Sequence, residues 1–136
     1  MANHNPRDYF RNGTVYVWKE TFAVVKAKRP LSGSFAIVHD RKETNEITAV
    51  IDQTKLEAHK EDIIEFDGDW KIITFDMILP LDMVGWLAEI TDEFAEEGIS
   101  ILVLSSYSTD HVLVQSYDLK KAIKKLESLG SRVTEK

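Results

Sequence analysis

The chain has no cysteine among its 136 residues. That excludes a disulfide framework and any zinc site built on thiolates. It also suits a reducing compartment, and a cytoplasmic location is the expectation. Long apolar runs are missing: none approaches the roughly 20 residues that a membrane-spanning helix needs. The polar residues 1–11 lack the apolar stretch of a secretory signal. Positive charge is in deficit, with 17 Lys and Arg against 23 Asp and Glu, a net charge of −6. A nucleic-acid binder needs a basic footprint to displace counterions, so neither nucleic acid nor membrane is expected as a partner. No phosphate-binding loop, dinucleotide glycine fingerprint or nucleophile elbow occurs. His4, His39, His59 and His111 are scattered, and none pairs with a carboxylate at ligand spacing. No metal, cofactor or catalytic set is therefore expected, and the chain reads as a non-enzyme.

What is present is enough apolar residue, 43%, for one compact domain or two small ones fused side by side. Residues 1–13 are rich in Asn, charge and Gly and read as a frayed tail. Residues 14–28 are aromatic and β-branched and read as one or two strands, one of them over 21–27. Residues 29–34 are turn material. Residues 35–39 and 46–51 read as a hairpin, Ile47, Ala49 and Ile51 alternating with their neighbours at period two. Residues 53–64 carry a weak helical signal, and Asp67-Gly68-Asp69 reads as a turn.

The signals strengthen from Trp70. Residues 70–75 read as a strand and 76–82 as a loop. A helix is expected over 83–97, with Asp82 as its N-cap and Gly98 as its stop. Met83, Leu87, Ile90 and Phe94 share its apolar face. Two strands, 99–104 and 111–114, follow around a small polar loop. A second helix over 119–129 has the apolar stripe Leu119, Ala122, Ile123, Leu126 and Leu129 opposite four lysines. Residues 131–136 either add a strand or end loosely.

This order, β-α-β-β-α and a sixth element, is that of a ferredoxin-like fold. The expected class is α+β: βαββαβ units in imperfect tandem, with helices on one face of antiparallel sheets. The first half looks like a shrunken copy, which places the units at 14–69 and 70–136. The strands beginning at Trp70 and Ile99 should run parallel with the His111 strand between them. The strand over 99–104 is apolar on both faces. A sheet with one wet face alternates more cleanly, so the second face is expected to be covered by the other half of the chain, by a second subunit, or by both.

Gly98-Ile99-Ser100-Ile101, followed by Ser105-Ser106-Tyr107-Ser108-Thr109-Asp110-His111-Val112-Leu113-Val114, resembles the ACT-domain family. The likeness is to small bacterial tandem ACT proteins related to the Castor arginine sensors of animals. Their pattern is GISI, an apolar strand, S-T-Y-x-T-D, then an aromatic residue or His and V-L-V. Glu46-Ile47-Thr48-Ala49-Val50 looks like the family's E-L-S-V-V strand, and Trp70 like the tryptophan before its second repeat. The likeness covers residues 21–130. Three departures stand out: Ser106 replaces Thr, the loop from Pro80 to Gly85 is shorter, and Trp86 follows Gly85 where a smaller aliphatic is usual.

The resemblance implies two ACT-like units and an amino-acid site near an ACT–ACT interface. It points to Asp110, with Ser106 and Tyr107 beside it, and to Gly85. A carboxylate at a strand mouth can take an ammonium or guanidinium; alternatively Asp110 only closes the turn. Ser105, Ser106 and Thr109 can offer hydroxyls to a ligand or satisfy turn backbone. Tyr107 either walls a pocket or is an edge residue. Free N–H groups at Met83, Val84 and Gly85, opening the first helix, would favour an anion such as a carboxylate; Gly85 could instead give room for packing. His111 is expected on the opposite strand face from Asp110, so the two make no dyad. The expected function is a small-molecule, amino-acid-binding regulatory module working through ligand-dependent change at an ACT–ACT interface, in a homodimer. The alternative is a non-catalytic dimerisation scaffold with a vestigial pocket.

Overall fold

The computed structural model describes residues 5–77, 79 and 83–136. Its strands are β1 (Thr14–Val17), β2 (Phe22–Ala27), β3 (Ala36–His39), β4 (Ile47–Asp52), β5 (Ile63–Phe75), β6 (Ile101–Ser105), β7 (Asp110–Gln115) and β8 (Arg132–Glu135). Its α-helices are α1 (Trp86–Glu96) and α2 (Leu119–Ser128). The chain divides into two compact units, Glu20–Trp70 and Met1–Lys19 with Lys71–Lys136.

In the Glu20–Trp70 unit the strand order is β3-β4-β2-β5, all antiparallel. Val25, Ala27, Leu31, Ile47 and Ile51 form its buried core, with Leu56 and Ile63 packed against them. The expected 35–39 and 46–51 hairpin is present as β3 and β4. The weak helical signal becomes two short 3-10 helices, Gln53–Lys55 and Glu57–Asp62, the first capped by Asp52, which accepts from Thr54 N–H at 2.9 Å. Asp67-Gly68-Asp69 is not a turn. Phe22 pairs with Trp70 and Val24 with Asp67, so β5 spends one extra residue there as a β-bulge. Asp69 takes φ 64, and Gln53 holds it by accepting from Asp69 N–H at 3.0 Å. Turn-forming residues were used to bend a strand rather than to end it.

The other unit follows β5-α1-β6-β7-α2-β8, the βαββαβ order, and β7 lies between β6 and β5 as expected. β1 changes the picture. It pairs antiparallel with the end of β5, Val15 opposite Phe75, and parallel with β8, Val15 opposite Val133. β1 therefore belongs with the residues that follow Trp70, not with a unit spanning 14–69, and the sheet includes one parallel pair. The order β6-β7-β5-β1-β8 has β1 inserted between the two strands that a plain ferredoxin-like sheet would place side by side.

Both helices cover one face of this sheet. Trp86, Ile90 and Phe94 of α1 and Ala122 and Leu126 of α2 pack on Val15, Val17, Ile73, Phe75, Val112 and Val114. Each large side chain buried this way contributes about 1.5–3 kcal/mol. α1 begins three residues later than expected. Gly85 is its N-cap at φ 93, a left-handed conformation that no helix can run through; Asp82, the expected cap, lies outside the described residues. Gly98 ends α1 in a Schellman arrangement: Gly98 N–H donates to Ala95 O, and Ile99 N–H to Phe94 O, both at 3.0 Å.

Alternation along β5 and β7 places Ile72, Thr74, His111 and Leu113 on the opposite face, and all four are buried. β6 differs. It pairs with β7 alone among the described residues, and Leu102 is 40% exposed. The chain thus leaves the second face of β6 partly open at a sheet edge.

The segment expected to fray supplies a core residue. Phe10 is 2% exposed, stacks on Trp86 with ring centroids 5.8 Å apart, and meets the Phe75 ring edge-on at 6.4 Å. Its carbonyl accepts from Ser131 Oγ at 2.8 Å. Phe10→Ala is expected to cost about 3–5 kcal/mol in urea unfolding, as for a buried Phe; a frayed residue would cost under about 0.5 kcal/mol.

Candidate functional site

A cavity of about 270 Å³ lies between the start of α1 and the β6–β7 loop. Leu79, Met83, Gly85, Trp86 and Leu87 form one wall, and residues 105–110 form the other. Five of the six residues singled out from sequence line it: Met83, Gly85, Ser106, Tyr107 and Asp110. Val84 does not. It is 85% exposed and points its side chain to solvent. Tyr107, 83% exposed, contributes to the rim.

The loop is a tight turn held by its own hydroxyls. Ser106 N–H and Ser106 Oγ both donate to Thr109 O, at 2.9 and 2.8 Å. Ser106 Oγ and Thr109 Oγ1 are 3.0 Å apart. Ser105 and Asp110 then pair across the first rung of β6 and β7. The turn is therefore closed by Ser106 and Thr109, not by Asp110. Asp110 is the one charged side chain among the described lining residues, is half-buried, and makes no hydrogen bond or ion pair with any described residue.

The opposite wall supplies donors. The first N–H groups of a helix have no intrahelical acceptor, and they carry the positive end of its dipole. Gly85 is required here by conformation: a Cβ would meet only Pro6 Cγ at an ordinary 3.6 Å, so φ 93 and not space is the constraint. Trp86, noticed in the sequence only as a departure from a pattern, is 5% exposed, and its Nε1–H has no hydrogen-bond partner in the structure. A buried, unpaired N–H costs about 1–3 kcal/mol.

His111 does sit on the face opposite Asp110, yet it is joined to the cavity. Its Nε2 lies 3.1 Å from Thr109 Oγ1 and its Nδ1 2.8 Å from the buried Thr74 Oγ1. Thr74 Oγ1 in turn accepts from Trp18 Nε1 at 2.7 Å. Sequence reading missed this linkage, although Thr109 and His111 are two residues apart and so share a strand face. Burial lowers the His111 pKa below its ordinary value, and the neighbouring Asp110 carboxylate opposes that shift. Among the described residues no group of three or more His, Asp or Glu could hold a metal ion, and no helix is long and apolar enough to cross a membrane.

Residues 65–128 match the model of the ACT-domain family. No curated protein matches the sequence. Among solved structures, a protein from Agobacterium tumefaciens is 18% identical with a TM-score of 0.71, over 92% of this chain and 94% of that one. A Vibrio cholerae protein of unknown function is 19% identical with a TM-score of 0.70, over 91% and 94%. The regulatory subunit of aspartate kinase from Thermus thermophilus is 12% identical with a TM-score of 0.65, over 88% and 98%. At these identities the likeness is one of fold: the chain has an ACT-like fold.

The His111 shift has a sign that can be measured. An unfolded His titrates near 6.5, and folded His111 titrates lower. Between the two values the unfolded chain binds more protons, so the stability contributed by neutral His111 is full above about pH 6.5. It is lost as the pH falls from there through the folded value. Urea midpoints measured from pH 8 to pH 5 are expected to fall in the acid part of the range, and His111→Gln to flatten that fall.

Proposed function

We propose that the chain is a non-catalytic regulatory module that binds an amino acid in the cavity between residues 83–87 and 105–110. The observation that carries this reading is the opposed chemistry of the two walls. One side offers the Asp110 carboxylate, which has no hydrogen-bond or ion-pair partner among the described residues. The other offers the start of α1, with the positive end of its dipole. An α-amino acid, whose ammonium and carboxylate leave one carbon in different directions, can turn the first toward Asp110 and the second toward the start of α1. The volume, about 270 Å³, is just below the range of drug-sized sites and suits a ligand as small as an amino acid. The ACT-domain match, and a regulatory subunit of aspartate kinase among proteins of similar fold, support the same reading.

Three finer elements belong to this proposal. The Glu20–Trp70 unit is a degenerate ACT-like copy, with 3-10 helices in place of α-helices among its described residues. The chain is related to the Castor arginine sensors through its Ser105–Val114 stretch. It acts in the cytoplasm as a homodimer, in which occupancy changes an ACT–ACT interface between copies. The exposed Leu102 on the open edge of β6 is consistent with such pairing. Binding shifts that equilibrium only by its differential affinity for the two states.

A thermal-shift screen against the twenty amino acids is expected to give a saturable rise in Tm for one or a few. At a concentration 100 times Kd the rise corresponds to about 2.7 kcal/mol. Asp110→Ala is expected to abolish it without unfolding the protein. No shift with any amino acid would favour an interaction scaffold with a vestigial pocket.

A further inference from the structure

The hydroxyls of two cavity-lining residues, Thr109 and Ser106, are the last members of a hydrogen-bonded series that starts away from the cavity. Trp18 Nε1 lies 2.7 Å from Thr74 Oγ1, and Thr74 Oγ1 lies 2.8 Å from His111 Nδ1. His111 Nε2 lies 3.1 Å from Thr109 Oγ1, which lies 3.0 Å from Ser106 Oγ. Ser106 Oγ ends the series 2.8 Å from Thr109 O.

The direction of every proton follows from the two ends. An indole N–H only donates, and a carbonyl only accepts. Thr74 is fully buried, and among the described residues its side chain has two partners, Trp18 and His111. Having accepted from Trp18, it must place its own proton on His111 Nδ1. A neutral imidazole that accepts at Nδ1 carries its proton at Nε2. That N–H donates to Thr109 Oγ1. At the far end Ser106 donates to the Thr109 carbonyl, so its oxygen is left to accept from Thr109. Both hydroxyls have then committed their protons inside the protein. What they turn to the cavity is lone pairs, beside a carboxylate that is itself an acceptor.

We propose that His111, held as the neutral Nε2–H tautomer, is a positioning residue that makes the Ser106 and Thr109 hydroxyls of the loop wall act as acceptors, beside the Asp110 carboxylate. The cavity thereby selects ligands by an ammonium group over acids of the same shape that lack it. This rests on the amino-acid reading above and adds the basis of its selectivity and the orientation of the ligand, ammonium to the loop and carboxylate to α1. Protonating His111 would put a second proton between Nδ1 and Thr74 Oγ1, leaving the Thr74 hydroxyl proton without an acceptor. Burial independently lowers the His111 pKa, and the neighbouring Asp110 carboxylate acts against that shift.

Two measurements on the full chain test the proposal. Nitrogen-15 NMR of the His111 ring at pH 7 is expected to show a neutral ring protonated at Nε2. His111→Gln assigns the signals; if that variant does not fold, Thr109→Val, which removes the Nε2 acceptor, assigns them by perturbation. A proton at Nδ1, or on both nitrogens, overturns the proposal. Calorimetric titration then compares the twenty amino acids with their 2-oxo acid counterparts. Loss of the ammonium is expected to weaken binding at least ~10-fold, the scale of one charge-assisted hydrogen bond. Oxo acids that bind as tightly as amino acids overturn the selectivity and leave a small-molecule site standing. Binding of neither overturns the amino-acid reading and the selectivity together, and the NMR result then stands only as a description of the ring.

Discussion

The structure around the cavity depends on one aromatic contact set. Trp86 stacks on Phe10 and meets Phe75 edge-on with centroids 5.1 Å apart. Those three rings come from the N-terminal segment, the end of β5 and the first turn of α1. Aromatic pairs of this geometry are worth about 0.5–1.5 kcal/mol beyond their burial. Their larger effect is positional. Gly85 ends the approach to α1 in a left-handed conformation, and Trp86 then anchors the next residue in the core. The helix start is thereby held beside residues 105–110. Without that anchor there would be two walls and no fixed distance between them.

The opposite wall is held by a different kind of force. Ser106 and Thr109 fix the turn through short hydrogen bonds, and His111 ties the turn to buried Thr74 on β5. Packing thus places one wall and directional polar bonds place the other. The difference matters for what each can tolerate. A packed wall gives way by degrees when atoms are removed, whereas a hydrogen-bonded series loses its direction when any one member is replaced.

Much of this was legible in the sequence where period and punctuation agreed. Ile90 and Phe94, the lysine-backed stripe of α2, and the glycine that stops α1 all declared their elements and faces. The β6–β7 loop was legible as the polar end of two apolar strands. What was not legible depended on long-range pairing. Thr14–Val17 has no local mark that says which strands it will join, and β1 finds them near Phe75 and Val133. Phe10, alone in a polar stretch, shows no period at all. Asp67-Gly68-Asp69 misled because a bulge and a turn call for the same residues. Of the cavity lining, Met83, Gly85 and the loop were readable as neighbours, but the surroundings of Trp86 and His111 were not. An unpaired N–H and a proton direction exist only once the neighbours are in place.

The parallel ladder between β1 and β8 has a consequence for synthesis. Thr14 pairs with Arg132 and Val17 with Glu135, so one sheet is closed by strands more than 110 residues apart in sequence. On the ribosome β1 emerges first and has its antiparallel partner once Phe75 is out. Its other edge stays unpaired until β8 has been made. Through that interval the nascent sheet presents a short open edge, and closing a loop of that length costs entropy before the contacts repay it. The Glu20–Trp70 unit has no such wait, because all its strands have been made by Trp70. The topology thus sets the order in which pairing partners become available: those of the Glu20–Trp70 unit are all made before the ladder that completes the sheet beside the cavity.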